Sequence, residues 1–243
     1  MRWYLGFDCA TKTFAFSLSR VASLDGEMIA QLRARTLACR ELCRRAAAAA
    51  APSAELLGVL LPLVRALETE MDGLIVIADG AVCDLAPGRA DAQVSTVERL
   101  RAVACYINGR VRPALTRAGA LDSELTVVIE YQMGPNARAR AVAAALVALF
   151  ASNDVIIVGP SLKNKVSTCP DGRYAEFARR YSNSYGANKA HAAFNFAQVE
   201  AKFGTAIAPT TPSSRRGHIA DSFMQVLGHL FFGVDQKDAA SMF

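Results

Sequence analysis

The sequence lacks the arrangements that build zinc frameworks and disulfide scaffolds. No two of its six cysteines form a C-x-x-C pair, and none has a histidine within a few residues. That excludes a zinc finger or ribbon and argues against a secreted, cross-linked domain, so reduced, buried thiols are expected. Cys39 and Cys43 stand four apart and would share a helix face, but the other ligands of a metal site are missing, so packing is their expected role. Long apolar runs are absent as well: no stretch reaches the ~18 uncharged residues that a bilayer span needs. Asp8 and Lys12 interrupt the region where a signal peptide would have its apolar segment. The chain is therefore expected to be intracellular and soluble, neither secreted nor held in a membrane. There is no G-x-G-x-x-G and no G-x-x-x-x-G-K-[ST], so neither common phosphate-cradling loop is available for a nucleotide. With 16 Gly and 9 Pro and no internal repeat, collagenous, low-complexity and solenoid classes are excluded too.

What is present is an ordinary globular composition: 243 residues, 52% hydrophobic and 20% charged. A single domain over residues 1–243 is expected, with enough core to need no staple. The net charge of +5 suits a polyanionic partner without demanding one.

Period-two patterning predicts a strand over Trp3–Cys9 and another around Phe14–Ser19. Asp25-Gly26 reads as a hairpin turn into a third strand, Glu27–Ala34, which completes an antiparallel meander. Residues 38–120 then read as a helical and hairpin insertion. Within it lie a helical stretch interrupted near Pro52, a hairpin of Leu74–Ala78 and Ala81–Leu85 about Asp79-Gly80, and an amphipathic helix, Val94–Ala118, weakened at Gly109. Leu125–Tyr131 and Val155–Val158 are buried strands on either side of a helix, Asn136–Ala151, and so form a parallel pair. Helices follow at Tyr174–Tyr181, Ala187–Phe203 and Gly217–Phe232, the last two separated by a Pro-rich segment at 209–212. The expected class is α/β.

Asp8 and Glu130 each end an apolar strand. In sheets with parallel strands, ligands bind beyond the carboxyl ends of those strands, so the two acids could face one crevice; either alone could equally cap a neighbouring helix. The final helix supplies a third group. His218, Asp221, Ser222, Gln225 and His229 fall within one arc, opposite Ile219, Phe223, Val226, Leu227 and Leu230, which predicts one polar and one core face. Gln and His are unusual on a merely solvated face. Asp8, Glu130 and Asp221 together make an oxygen-rich donor set from separate elements, as hard cations such as Mg²⁺ prefer. Two such ions could serve a phosphodiester displacement. His229 lies two turns beyond His218, too far for a shared ion, and reads as structural, while His191 reads as surface.

At these residues the chain resembles the Holliday junction resolvases of the RNase H-like superfamily, both the bacterial RuvC type and the related poxvirus and phage enzymes. GFDCATKTFAFSL is similar to the family's first strand with its catalytic Asp, VVIEYQ to the fourth strand with its Glu, and HIADSFMQVLGH to the final helix. VGPSLKNKV is similar to the segment after the fifth strand that brings Lys to the DNA backbone. The resemblance implies an RNase H-like mixed sheet of three antiparallel and two parallel strands flanked by helices, with an insertion between the third and fourth core strands. It implies Asp8, Glu130, His218 and Asp221 as catalytic groups and metal ligands for Mg²⁺, which Mn²⁺ can replace, with two ions per site. It implies a homodimer that resolves four-way junctions or other branched DNA by paired hydrolysis, in the compartment where DNA is replicated or recombined, and it admits a viral or phage origin. The chain departs from the family in having Cys9-Ala10 where a glycine-containing turn is usual, and in the length between the third and fourth strands.

Basic residues would rim such a site: Arg138 and Arg140 after Glu130, Lys163 and Lys165 beyond the fifth strand, Arg179, Arg180 and Lys189, and Arg215 and Arg216 before His218. Tyr131, Tyr181 and Tyr185 are candidate base-stacking groups. Two other readings stand beside this one. A DNA-binding protein could keep the fold without cleaving, and an ATP phosphotransferase of the actin and sugar-kinase type shares a similar opening strand, although the duplicated domain it needs is missing.

Overall fold

The computed structural model describes residues 1–22, 25–48, 74–120, 125–131, 136–165 and 213–233, with single positions between them. The predicted helices at Tyr174–Tyr181 and Ala187–Phe203, the interruption near Pro52 and the segment 209–212 lie outside the described residues, apart from single positions.

Five strands form one sheet: β1 (Arg2–Cys9), β2 (Thr13–Val21), β3 (Ile75–Asp84), β4 (Leu125–Glu130) and β5 (Asp154–Val158), in the order β3-β2-β1-β4-β5. β1, β2 and β3 are antiparallel neighbours, and β4 and β5 run parallel to β1. This is the RNase H-like mixed sheet that the resemblance implied. Strand alternation divides the core. Trp3, Leu5, Phe7 and Cys9 point into an apolar layer with Val103, Ile107, Val111 and Leu146, whereas Tyr4 and Ala15 join the layer beneath the final helix.

The helices are α1 (Gly26–Ala48), α2 (Thr96–Tyr106), α3 (Arg112–Ala118), α4 (Ala137–Leu149) and α5 (Ser213–Phe232). Ser95 and Glu98 form a reciprocal cap that starts α2, and Asn136 caps α4 by accepting from the Ala139 N–H at 3.2 Å. Val94–Ala118 was expected as one helix; a π-helical segment, Ile107–Val111, divides it at the weak point, Gly109. Among the described residues no helix is long and apolar enough to cross a membrane.

Two expectations are corrected. Asp25-Gly26 is not a hairpin turn: the Asp25 carboxylate accepts the Met28 N–H at 2.7 Å and caps α1, so Glu27–Ala34 is helical, as its Glu, Met, Ala, Gln, Leu and Arg content favours. The third core strand is instead β3. It occupies the place of the expected hairpin at 74–85 and lies inside the 38–120 stretch set aside as an insertion. Here Asp79-Gly80 marks a bulge in a continuous edge strand: Leu18 pairs with Asp79 while Ser19 pairs with Ile77, and the Asp79 carboxylate accepts the Gly80 N–H at 2.8 Å. The polar arc of α5 is turned inward, in keeping with its Gln and His. Asp221, Ser222 and Gln225 are as buried as Phe223 and Leu227, because α5 lies between the sheet and further cover that includes α1.

Gly6 sets how closely α5 can lie on the sheet. A Cβ there would strike the Ser222 carbonyl oxygen and stand 2.8 Å from Val226 Cγ2, so only glycine admits the helix at this crossing.

Candidate active site

The parallel pairing of β1 with β4 brings the first two acids together. Phe7 is in register with Ile129, which places Asp8 and Glu130 side by side at the carboxyl ends of adjacent strands. Both are buried, at 5% and 4% exposure, on the face that α5 covers. One helical turn of α5 adds His218 and Asp221. The His218 ring nitrogen Nδ1 lies 2.7 Å from Asp8 Oδ2, a contact 210 residues apart in sequence.

Lys163 completes the cluster from a 3₁₀ turn, Leu162–Lys165, just beyond β5. Its Nζ lies 3.1 Å from Asp221 Oδ2 and 3.4 Å from both carboxylate oxygens of Glu130. Burial first, then the Asp8 and Asp221 charges, push Glu130 up to about 7, with Lys163 pulling in the other direction. Burial would lower the Lys163 ammonium, but Asp221, Glu130 and Asp8 outweigh it and hold the amine above its ordinary value. The Cys9 thiol, at 0% exposure, is pushed well up by burial and by Asp8 and Glu130, which makes it an inert packing group.

The donor set fits a hard divalent cation in its chemistry, three carboxylates from three elements, two of which, Glu130 and Asp221, reach a single atom, Lys163 Nζ. As they stand, no three His, Cys, Asp or Glu groups among the described residues converge tightly enough to hold an ion. Two carboxylates turn on Lys163 and the third on His218.

Of the expected basic rim, Lys163, Arg138, Arg140, Arg180 and Arg216 are described with their side chains. Lys163 is inside the acid cluster and not on a rim. Arg138 donates to the Asp91 carbonyl at 3.2 Å and lies 3.6 Å from its carboxylate, so it braces the loop after β3. Arg140 is exposed on α4, Arg216 is half-buried at the start of α5, and Arg180 is exposed. Tyr131, directly after Glu130, is half-buried and donates its backbone N–H to the Val158 carbonyl at 2.7 Å. Lys165 and Arg215 are placed by backbone only, and Arg179, Lys189, Tyr181, Tyr185 and His191 lie outside the described residues. His229 is half-buried beside the Tyr4 ring, with centroids 6.3 Å apart, away from the acids as expected.

Sequence reasoning missed Arg99. This fully buried guanidinium donates to the carbonyl oxygens of Thr11, Asp91 and Val94, and pairs with the Asp91 carboxylate at 3.0 Å. Thr11 lies in the turn after Asp8, and the Leu85 N–H bonds to the neighbouring Lys12 carbonyl at 2.7 Å. The turn after Asp8 is thus held from outside. The signal was available: Arg99 precedes Val103, Ile107 and Val111 at four-residue steps, an arginine on a core stripe.

No family model matches the chain, and no curated protein matches it. Among solved structures it is similar to Thermus thermophilus RuvC, at 16% identity and a TM-score of 0.47 with 96% of each chain covered. It is also similar to T. thermophilus RuvC in complex with Holliday junction substrate, at 17% identity and a TM-score of 0.45, again with 96% of each covered. Likeness at that level decides nothing about this chain, whose architecture follows from its own strand order.

Proposed function

We propose that the chain is a metal-dependent, structure-selective endodeoxyribonuclease that hydrolyses phosphodiester bonds in branched DNA, four-way junctions above all. One observation carries the reading: three buried carboxylates from β1, β4 and α5 meet at the carboxyl end of the parallel strands, beside a histidine bound to one of them. Buried acids are costly to a fold, and a cation-dependent reaction is what repays their retention.

Asp8, Glu130 and Asp221 would hold Mg²⁺ or Mn²⁺, which supplies Lewis-acid polarisation of the phosphate and a more acidic water. The chain's own part is positional. With Asp8 ionised, the 2.7 Å contact puts a proton on His218 Nδ1 and leaves Nε2 as the acceptor. Nε2 is then available to take the proton of the attacking water as its oxygen bonds to phosphorus and the opposite P–O bond breaks, or to serve as a ligand. Asp8 keeps its second oxygen for a cation. Lys165 and Arg216, which flank the cluster in sequence, would be the contacts to phosphates around the acids, and a homodimer would present two such sites to opposed strands.

The test is direct. Purified protein is incubated with a labelled four-way junction, the matched linear duplex and an RNA/DNA hybrid, in Mg²⁺, in Mn²⁺ and in chelator. Paired nicking of the junction, absent in chelator and lost in Asp8→Asn, is the expected result. Junction binding without cleavage under every metal condition would sink the reading in favour of a non-cleaving DNA-binding protein. Preferential cutting of the hybrid would move the substrate to RNA.

A further inference from the structure

The resemblance casts Lys163 as a contact to the DNA backbone, yet its ammonium faces inward. The side chain is 14% exposed, and its nitrogen bridges Asp221 at 3.1 Å and Glu130 at 3.4 Å. A lysine waiting for a phosphate would leave its flexible stem in solvent, where an ammonium is well hydrated. Here the ammonium sits at the point where two of the three buried carboxylates converge.

The base of this side chain is fixed by packing. The Leu162 N–H bonds to the Gly159 carbonyl at 3.0 Å, and Leu162 packs against Gly228 of α5. A Cβ on Gly228 would lie 2.8 Å from Leu162 Cγ and 2.9 Å from the Leu162 carbonyl oxygen, so a glycine is required for the turn to seat. Beyond this anchor run four methylenes that can swing without moving the backbone.

We propose that Lys163 is a tethered counter-ion of the acid cluster: its ammonium competes with a divalent cation for Glu130 and Asp221, and must swing out for an ion to enter. The inference rests on the metal-dependent reading above. It makes Lys163 a positioning residue that sets the cation affinity of the site and keeps the acids together when no cation is present. The two demands have opposite signs. Removing the ammonium removes a competitor, and it also leaves the carboxylates to repel one another.

The experiment uses the full chain without DNA. Mn²⁺ alone is titrated calorimetrically into wild type, Lys163→Met, Lys163→Gln and Lys163→Arg, and each is melted in chelator. The Met and Gln variants are expected to bind Mn²⁺ about ten-fold more tightly or better, since a hydrogen bond to a charged group is worth that factor, and to melt below wild type in chelator. Lys163→Arg keeps the charge and should follow wild type in the direction of both. A folding defect would weaken Mn²⁺ binding, so tighter binding with lower metal-free stability separates the proposal from a structural role. Equal or weaker Mn²⁺ binding by both neutral variants overturns the counter-ion. Absence of Mn²⁺ binding by wild type and all variants overturns the metal site itself, and the inference with it.

Discussion

Glu130 and its neighbours concentrate like charge: three buried carboxylates lie around the Lys163 ammonium. Because burial and the like charges raise Glu130 to about 7, ionising it in the folded protein without cations opposes folding. Glu130→Gln keeps the shape and removes the charge. In chelator at about pH 8 this variant should therefore melt above wild type, by about 2–4 °C per kcal/mol regained for a chain of this size, while junction cleavage falls by orders of magnitude. A lower melting temperature would mean that the Glu130–Lys163 pair is a net stabiliser. His229 gives a second, separate signal. Burial lowers its imidazole below the ordinary value, the more distant Asp154 charge works weakly in the other direction, and the facing group is the Tyr4 ring. A depressed folded value means the unfolded chain binds the proton first, so this stabilisation is whole above the unfolded pKa and drains away as pH falls through the folded one. Between about pH 8 and about pH 5 the urea midpoint of wild type should fall by more than that of His229→Gln. Parallel curves would place the acid sensitivity elsewhere.

At the scale of elements, the site depends on how closely α5 lies on β1. Gly6 has no room for a methyl group under Ser222 and Val226, so Gly6→Ala must lift α5 and carry His218 and Asp221 away from Asp8. Overpacking of this kind costs ~1–3 kcal/mol, and an ångström of displacement is enough to cost about a hundred-fold in rate. Gly6→Ala should fold, melt lower and lose most of its cleavage; a variant that melts lower but cleaves normally would show that α5 tolerates the shift. The elements themselves were unevenly legible in the sequence. β1, β4, β5 and α5 were readable because each carries an unbroken period with clear stops. The third strand was not, because Asp-Gly dipeptides serve turns, caps and bulges alike. At residues 25–26 the Asp side chain caps α1, and at 79–80 it closes a bulge braced by Arg110 at 2.6 Å and Arg117 at 3.1 Å, and only the tertiary partners decide. Asp8 and Glu130 were legible from their positions at strand ends. The inward turn of Lys163 and the clamp of Arg99 were not, since side-chain direction depends on packing between elements far apart in sequence.

For the whole molecule, the charge that matters to a polyanion is the charge left over after internal pairing. The sequence carries +5, but several cations are engaged by acids: Arg110 and Arg117 on Asp79, Arg99 and Arg138 on Asp91, Arg89 on Glu98, and Lys163 on Glu130 and Asp221. Each phosphate neutralised by a lysine or arginine releases counter-ions, so the slope of log affinity against log salt counts contacts at about 0.9 per phosphate on duplex DNA. A lysine whose charge is already taken by carboxylates releases none. Measured in chelator, where no cation competes for Glu130 and Asp221, Lys163→Met should leave that slope for junction binding unchanged, whereas Lys165→Ala should make it shallower by about one unit. Repeating the series in Ca²⁺, which takes oxygen ligands as Mg²⁺ does, should free the Lys163 ammonium and let Lys163→Met lower the slope as well. If Lys163→Met already lowers the slope in chelator, its ammonium reaches DNA directly, and the inward pairing does not describe the protein bound to a junction.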